Sequence, residues 1–118
     1  FQLQDDILGI IGNAVDLGKP VGSDIREGKR TVIAVYAYSH ANPTQQALLR
    51  EVLGKTDANA IEIEQVKIVL EECGGIAYAH KLAEDYTSRA EQLLGGLPES
   101  PARQKLQALI NFITQRNY

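Results

Sequence analysis

The sequence predicts an all-α fold, an antiparallel helical bundle, and three patterns carry that reading. Apolar residues recur about every 3.6 positions through 76–94. Two helix starts are written as a cap residue followed by proline, Asn42-Pro43 and Ser100-Pro101. The glycine pairs Gly74-Gly75 and Gly95-Gly96 separate the later periodic segments. A chain of 118 residues is long enough for one domain with a real core and too short for two.

In residues 1–12, Phe1, Leu3, Ile7, Leu8, Ile10 and Ile11 surround an acidic pair, a spacing that suits a buried helix better than a strand. No capping residue precedes Phe1 and the chain holds no Met, so its start, inside a helix, reads as a cut or an order–disorder boundary and not a gene start. From Gly12 to Arg30 the chain is polar and contains Gly12, Gly18, Pro20, Gly22 and Gly28, a density that predicts a loop. Nineteen residues is long for such a loop, and loops of that size are usually functional or disordered. Residues 31–41 open as an apolar, β-branched run that alone would suit a strand. They are read as a buried helix because every other segment is helical and a lone strand has no partner. Pro43 opens a helix that runs to about Leu53, and 54–59 is a turn. Residues 60–73 form a helix with Ile61, Ile63, Val66, Val69, Leu70 and Cys73 inward. The next helix turns Ala79, Leu82, Ala83, Tyr86, Ala90, Leu93 and Leu94 to one side. The last places Leu106, Leu109, Ile110 and Ile113 on one face and ends near Arg116.

Asp5 and Asp6 are adjacent acids within the apolar first helix. Burying two like charges side by side is costly unless something neutralises them. A hard divalent cation does so, and magnesium typically takes one or two carboxylates together with substrate phosphates. An isolated acid pair also suits a solvent-facing helix surface. Shortly afterwards comes Gly18-Lys19-Pro20-Val21-Gly22-Ser23-Asp24-Ile25-Arg26-Glu27-Gly28-Lys29-Arg30-Thr31, with two lysines ten positions apart among glycines. Lysine is a compact charge suited to phosphate, and glycine lets backbone approach a ligand. Acids followed by lysines on a flexible segment form either a diphosphate–metal clamp or a solvated basic loop.

Phe1-Gln2-Leu3-Gln4-Asp5-Asp6-Ile7-Leu8, followed by Gly18-Lys19-Pro20-Val21-Gly22-Ser23-Asp24 and Lys29-Arg30-Thr31, resembles the second aspartate-rich motif of trans-isoprenyl diphosphate synthases and the segment after it. Gly74-Gly75-Ile76-Ala77-Tyr78-Ala79, and Leu97-Pro98 through Leu109, resemble that family's C-terminal helices more loosely, so the likeness spans the chain. The resemblance implies the C-terminal part of the isoprenoid synthase fold over 1–118. It also implies a magnesium-dependent prenyltransferase that ionises an allylic diphosphate and joins it to isopentenyl diphosphate with loss of a proton. By resemblance, Asp5 and Asp6 bind Mg2+, Gln2 sits beside the reacting allylic carbon, and Phe1 lines the cavity of the isoprenoid tail. Lys19 binds the allylic diphosphate, Lys29 stands at the mouth of that site, and Asp24 supports the metal shell or the loop. The family motif usually carries a third acid where this chain has Gly9. That loss removes one possible ligand or water anchor, and Gly9 also suits close approach of a neighbouring helix.

The first aspartate-rich motif of the family, its isopentenyl diphosphate-binding residues and its chain-length determinants would precede Phe1. The isolated chain is therefore expected to be inactive and product length is unreadable. A second reading, a non-catalytic helical subunit or inactive fragment, stays open. A terpene cyclase of related fold matches the segment around Lys19 and Lys29 less well. The family is usually homodimeric, so exposed apolar faces are expected on the early helices.

The net charge of −3 argues against a nucleic-acid surface. No apolar run approaches the ~20 residues of a membrane span. A single cysteine, Cys73, precludes an internal disulfide and suits a reducing, cytoplasmic setting. His40 and His80 belong to no metal spacing and read as structural or surface residues. Cys73 reads as a buried inert thiol, and Tyr78 and Tyr86 as core or interface residues.

Overall fold

The computed structural model describes residues 1–12 and 18–115. Among them are seven helices: α1 (Gln2–Ile11), α2 (Ser23–Glu27), α3 (Val32–His40), α4 (Pro43–Val52), α5 (Ala60–Glu72), α6 (Gly75–Gly95) and α7 (Pro101–Thr114). Segment 12–30, read from sequence as loop, thus also holds a short helix, while its residues 13–17 and Arg116 lie outside the described residues.

The helix starts follow their local chemistry. The Thr31 hydroxyl accepts the Ala34 N–H at 3.2 Å and settles 32–40 as helix, not strand. Asn42 and Gln45 form a reciprocal capping box ahead of α4, and Asn59 and Glu62 form another ahead of α5. Ser100 accepts the Arg103 N–H at 3.1 Å, with Pro101 at the first helical position of α7.

The core lies where α1, α3, α4, α5 and the start of α6 meet. Ile33, Ala37, Leu49, Val66, Leu70 and Ala79 are fully buried there, and Ile7, Ile10, Ile25, Val52 and Ile63 are among the residues packed with them. Tyr36 stacks between His40 and Tyr78, with ring centroids 4.0 and 4.2 Å away, so these exposed-side aromatics pack on one another at the core's edge. Half-buried Cys73 donates to Gln45 Oε1 at 3.5 Å, and burial with the nearby Glu72 charge pushes its thiol pKa up, in keeping with an inert thiol.

Several inward assignments do not hold. Ile61 is 72% exposed, because 63, 66, 69 and 70 define the buried stripe of α5 and 61 falls on the opposite side with Ile68. Leu93 and Tyr86 are likewise exposed, and α7 buries no residue fully although Leu106 and Leu109 carry its apolar stripe. Helix α7 packs chiefly on α6, and that pair extends beyond the core. The radius of gyration is 16.9 Å, against roughly 13–14 Å for a compact domain of this length. No described helix is long and apolar enough to cross a membrane.

These differences in burial give a direct test. Leu70→Ala is expected to lower unfolding free energy by about 3 kcal/mol, whereas Leu93→Ala should cost under about 0.5 kcal/mol, measured by urea denaturation. Equal losses would contradict the placement of the core.

Candidate functional site

Helix α1 carries both acids. Asp5 and Asp6 are half-buried rather than enclosed, which relieves part of the cost of adjacent like charges. Gln2, one turn earlier, donates from Nε2 to Asp6 Oδ1 at 3.0 Å. Ile7 and Ile10 of the same helix are sunk in the core, so the helix is fixed while its acids stay only half-buried. Phe1 and Gln2 border a groove of about 370 Å³ that continues along Tyr86, Ala90, Ile110 and Ile113 between α6 and α7.

Helix α2 brings a third acid to α1. Ile25 is only 1% exposed, its carbonyl accepts the Gly54 N–H at 2.9 Å, and Arg26 Nε donates to the Ala58 carbonyl at 3.1 Å. Anchored in this way, α2 directs Asp24 toward α1, where a Cβ added at Gly9 would collide with Asp24 Oδ2. The space that a third acid of the aspartate-rich motif would fill is occupied by a carboxylate from a different helix. The close approach allowed by Gly9 is therefore to α2, and it is made by Asp24.

Asp24 is 4% exposed and draws in both lysines. Lys19 Nζ lies 2.7 Å and Lys29 Nζ 3.1 Å from Asp24 Oδ1. Lys29 is held by its backbone as well. Its N–H donates to the Asp24 carbonyl at 3.1 Å and the Gly28 N–H to the Ile25 carbonyl at 3.0 Å. With Gly28 at φ 66°, this is the Schellman ending of a helix. Burial pushes the Asp24 carboxyl up, but the hydrogen bonds and charges of Lys19 and Lys29 outweigh it and hold the pKa below its ordinary 3.8. The Asp24 hydrogen bond and charge raise Lys29 above its ordinary 10.5, with smaller contributions from Glu27 and Asp6.

The residues singled out from sequence fall into two linked groups. Gln2, Asp5 and Asp6 share α1, and Lys19, Asp24 and Lys29 form an ion triad against the same helix. Sequence reasoning left the place of Asp24 open between metal shell and loop, although its position five residues from each lysine was a visible signal. His40 and His80 stay exposed and join no cluster of ligating side chains among the described residues.

Residues 1–70 match the polyprenyl synthetase family. The chain belongs to that family. A short chain isoprenyl diphosphate synthase of Methanothermobacter thermautotrophicus is 38% identical over 122 positions, covering all of this chain and 36% of that protein. A geranylgeranyl diphosphate synthase of Saccharolobus solfataricus is 37% identical over 98% of this chain and 35% of its own length. This polyprenyl synthetase family member therefore spans about a third of the curated relatives it matches. Among solved structures, geranylgeranyl pyrophosphate synthetase from Pyrococcus horikoshii superposes with a TM-score of 0.89 at 35% identity, over 98% of this chain and 35% of that one. The geranylgeranyl pyrophosphate synthase from Corynebacterium glutamicum, complexed with isoprenyl diphosphate and magnesium, superposes with a TM-score of 0.90 at 30% identity, over 98% and 33%. The helical architecture is thus that of part of these synthases.

Among the described residues no three Asp, Glu, His or Cys side chains form a ready metal cage. Asp5 and Asp6 offer what magnesium commonly takes from a protein, one or two carboxylates, with water and phosphate completing the shell.

The ion triad has a pH signature. The folded pKa of Asp24 is lowered, so its contribution to stability is present above 3.8 and is lost as pH falls through the folded value. The folded pKa of Lys29 is raised, so its contribution is present below 10.5 and is lost as pH rises through the folded value. Urea unfolding is expected to find Asp24→Asn less stable than the native chain at about pH 7, with the gap narrowing toward about pH 2. A gap of the same size at both would rule out an ionic role for Asp24.

Proposed function

We propose that this chain supplies the allylic-diphosphate side of a magnesium-dependent prenyltransferase site, in an enzyme that condenses isopentenyl diphosphate with an allylic diphosphate in isoprenoid biosynthesis. The observation that supports this most is the convergence of Lys19 and Lys29 on one buried carboxylate beside the acidic helix α1. The family relationship and the relative seen with isoprenyl diphosphate and magnesium point to the same chemistry.

On this reading Asp5 and Asp6 are the magnesium ligands, and the bound metal supplies Lewis-acid neutralisation of charge on the departing diphosphate. Lys19 and Lys29 bind diphosphate oxygens and offset the same growing charge from the protein side. Gln2, oriented by its hydrogen bond to Asp6, stands beside the reacting carbon. Phe1 and the apolar groove between α6 and α7 receive hydrocarbon and exclude water. Turnover is assigned to the full-length protein, working as a homodimer, rather than to these 118 residues alone.

The other reading, a helical subunit without catalytic duty, is supported by Gly9 in place of the third acid. One substitution separates the two. In the full-length protein, Asp5→Ala should reduce turnover of allylic and isopentenyl diphosphates by about a hundredfold or more if Asp5 holds the metal. Undiminished turnover, assayed by incorporation of labelled isopentenyl diphosphate, would leave only the scaffold role.

A further inference from the structure

Two ammonium groups that are to grip one diphosphate repel each other before the ligand arrives, and each ends a flexible four-carbon stem. Here both are already gathered. Lys19 and Lys29 meet on the same oxygen, Asp24 Oδ1, at 2.7 and 3.1 Å, although their side chains are 39% and 45% exposed. The carboxylate that gathers them is buried at 4% exposure on a helix tied down through Ile25 and Arg26. Its second oxygen occupies the space left by the missing side chain of Gly9.

We propose that Asp24 is a positioning residue for diphosphate binding, holding Lys19 and Lys29 together as a preassembled dication, and that Gly9 is the residue that admits it. The proposal rests on the reading of the two lysines as diphosphate ligands and adds the device that prepares them. Each lysine ammonium has three donors. One is directed to Asp24, and Lys29 Nζ also lies 3.8 Å from Glu27 Oε2 at the exposed rim, which still leaves each ammonium a donor for phosphate oxygens without displacing the Asp24 carboxylate. Fixing both charges beforehand removes most of the ordering cost that binding would otherwise carry. The seat at Gly9, which Asp24 Oδ2 fills, places the prepared pair beside α1.

Charge and positioning predict opposite signs for one substitution, and that makes the proposal testable. Asp24 is an anion beside an anion site, so as a bare charge its removal should tighten diphosphate binding; as a positioning residue, its removal should weaken it. The probe is inorganic pyrophosphate, titrated calorimetrically into the full-length protein in metal-free buffer, with helix content followed by circular dichroism. Asp24→Asn is expected to weaken binding about tenfold despite the lost negative charge. Gly9→Ala keeps the carboxylate but pushes it off its seat, and it should weaken binding in the same direction. Lysine ammonium NMR signals protected from solvent exchange by the Asp24 contact should be present in the native chain and lost in both variants.

Equal or tighter binding by a folded Asp24→Asn chain overturns the proposal. If that variant does not fold, Gly9→Ala decides, and native-like affinity there overturns it too. Lys19→Ala and Lys29→Ala separate this outcome from failure of the underlying reading. If they weaken binding while Asp24→Asn does not, only the positioning role falls. If they bind as the native chain does, or the native chain does not bind, the lysines are not diphosphate ligands and the inference falls with them.

Discussion

The ion triad Lys19–Asp24–Lys29 is the constraint from which the arrangement of the site follows. A carboxylate removed from water loses several kcal/mol of hydration, and it stays charged only if its lone pairs are satisfied from within. For Asp24, two ammonium groups brought from either side of α2 supply the compensating charge and hydrogen bonds, both at Oδ1. The segment from Lys19 to Lys29 must therefore double back on itself. The short helix and its Schellman ending are the backbone solution to that demand, and the anchors through Ile25 and Arg26 set where the solution sits relative to α1. Geometry and charge support each other here: the turn brings Lys29 to Asp24, and the ion pair holds the turn closed.

Much of the fold was legible in the sequence because its signals are local. Cap residues followed by proline located the starts of α4 and α7 almost to the residue. Periodicity identified the buried face of α5 through Ile63, Val66 and Leu70. Burial on α6 and α7 was not legible, since an apolar stripe states which side is sticky and not whether a partner covers it. Leu93, Leu106 and Leu109 are apolar by sequence and open by structure. The short helix within 12–30 was hidden for a different reason. Five residues hold no period, and glycine on both sides argued for loop.

In the candidate site, sequence order named the two aspartates and two lysines but left the relation between the groups open. Gly9 illustrates why. Read along α1 it is a missing acid. Read across to α2 it is a vacancy shaped for Asp24, and a contact fifteen positions away leaves no local trace. Lys29 was similarly half-legible, its charge plain from composition and its fixed direction dependent on a backbone turn at Gly28.

The ties that hold α2 in place run to an unexpected quarter. Its Ile25 carbonyl and Arg26 side chain are fastened to Gly54 and Ala58, in the turn between α4 and α5. That turn is the mounting bracket of the anion grip. A sequence change there touches no charged group of the site, yet it tilts the platform on which Asp24 stands and moves both ammonium groups in concert. A change in the grip can thus be written in that turn, with the gripping residues themselves unaltered.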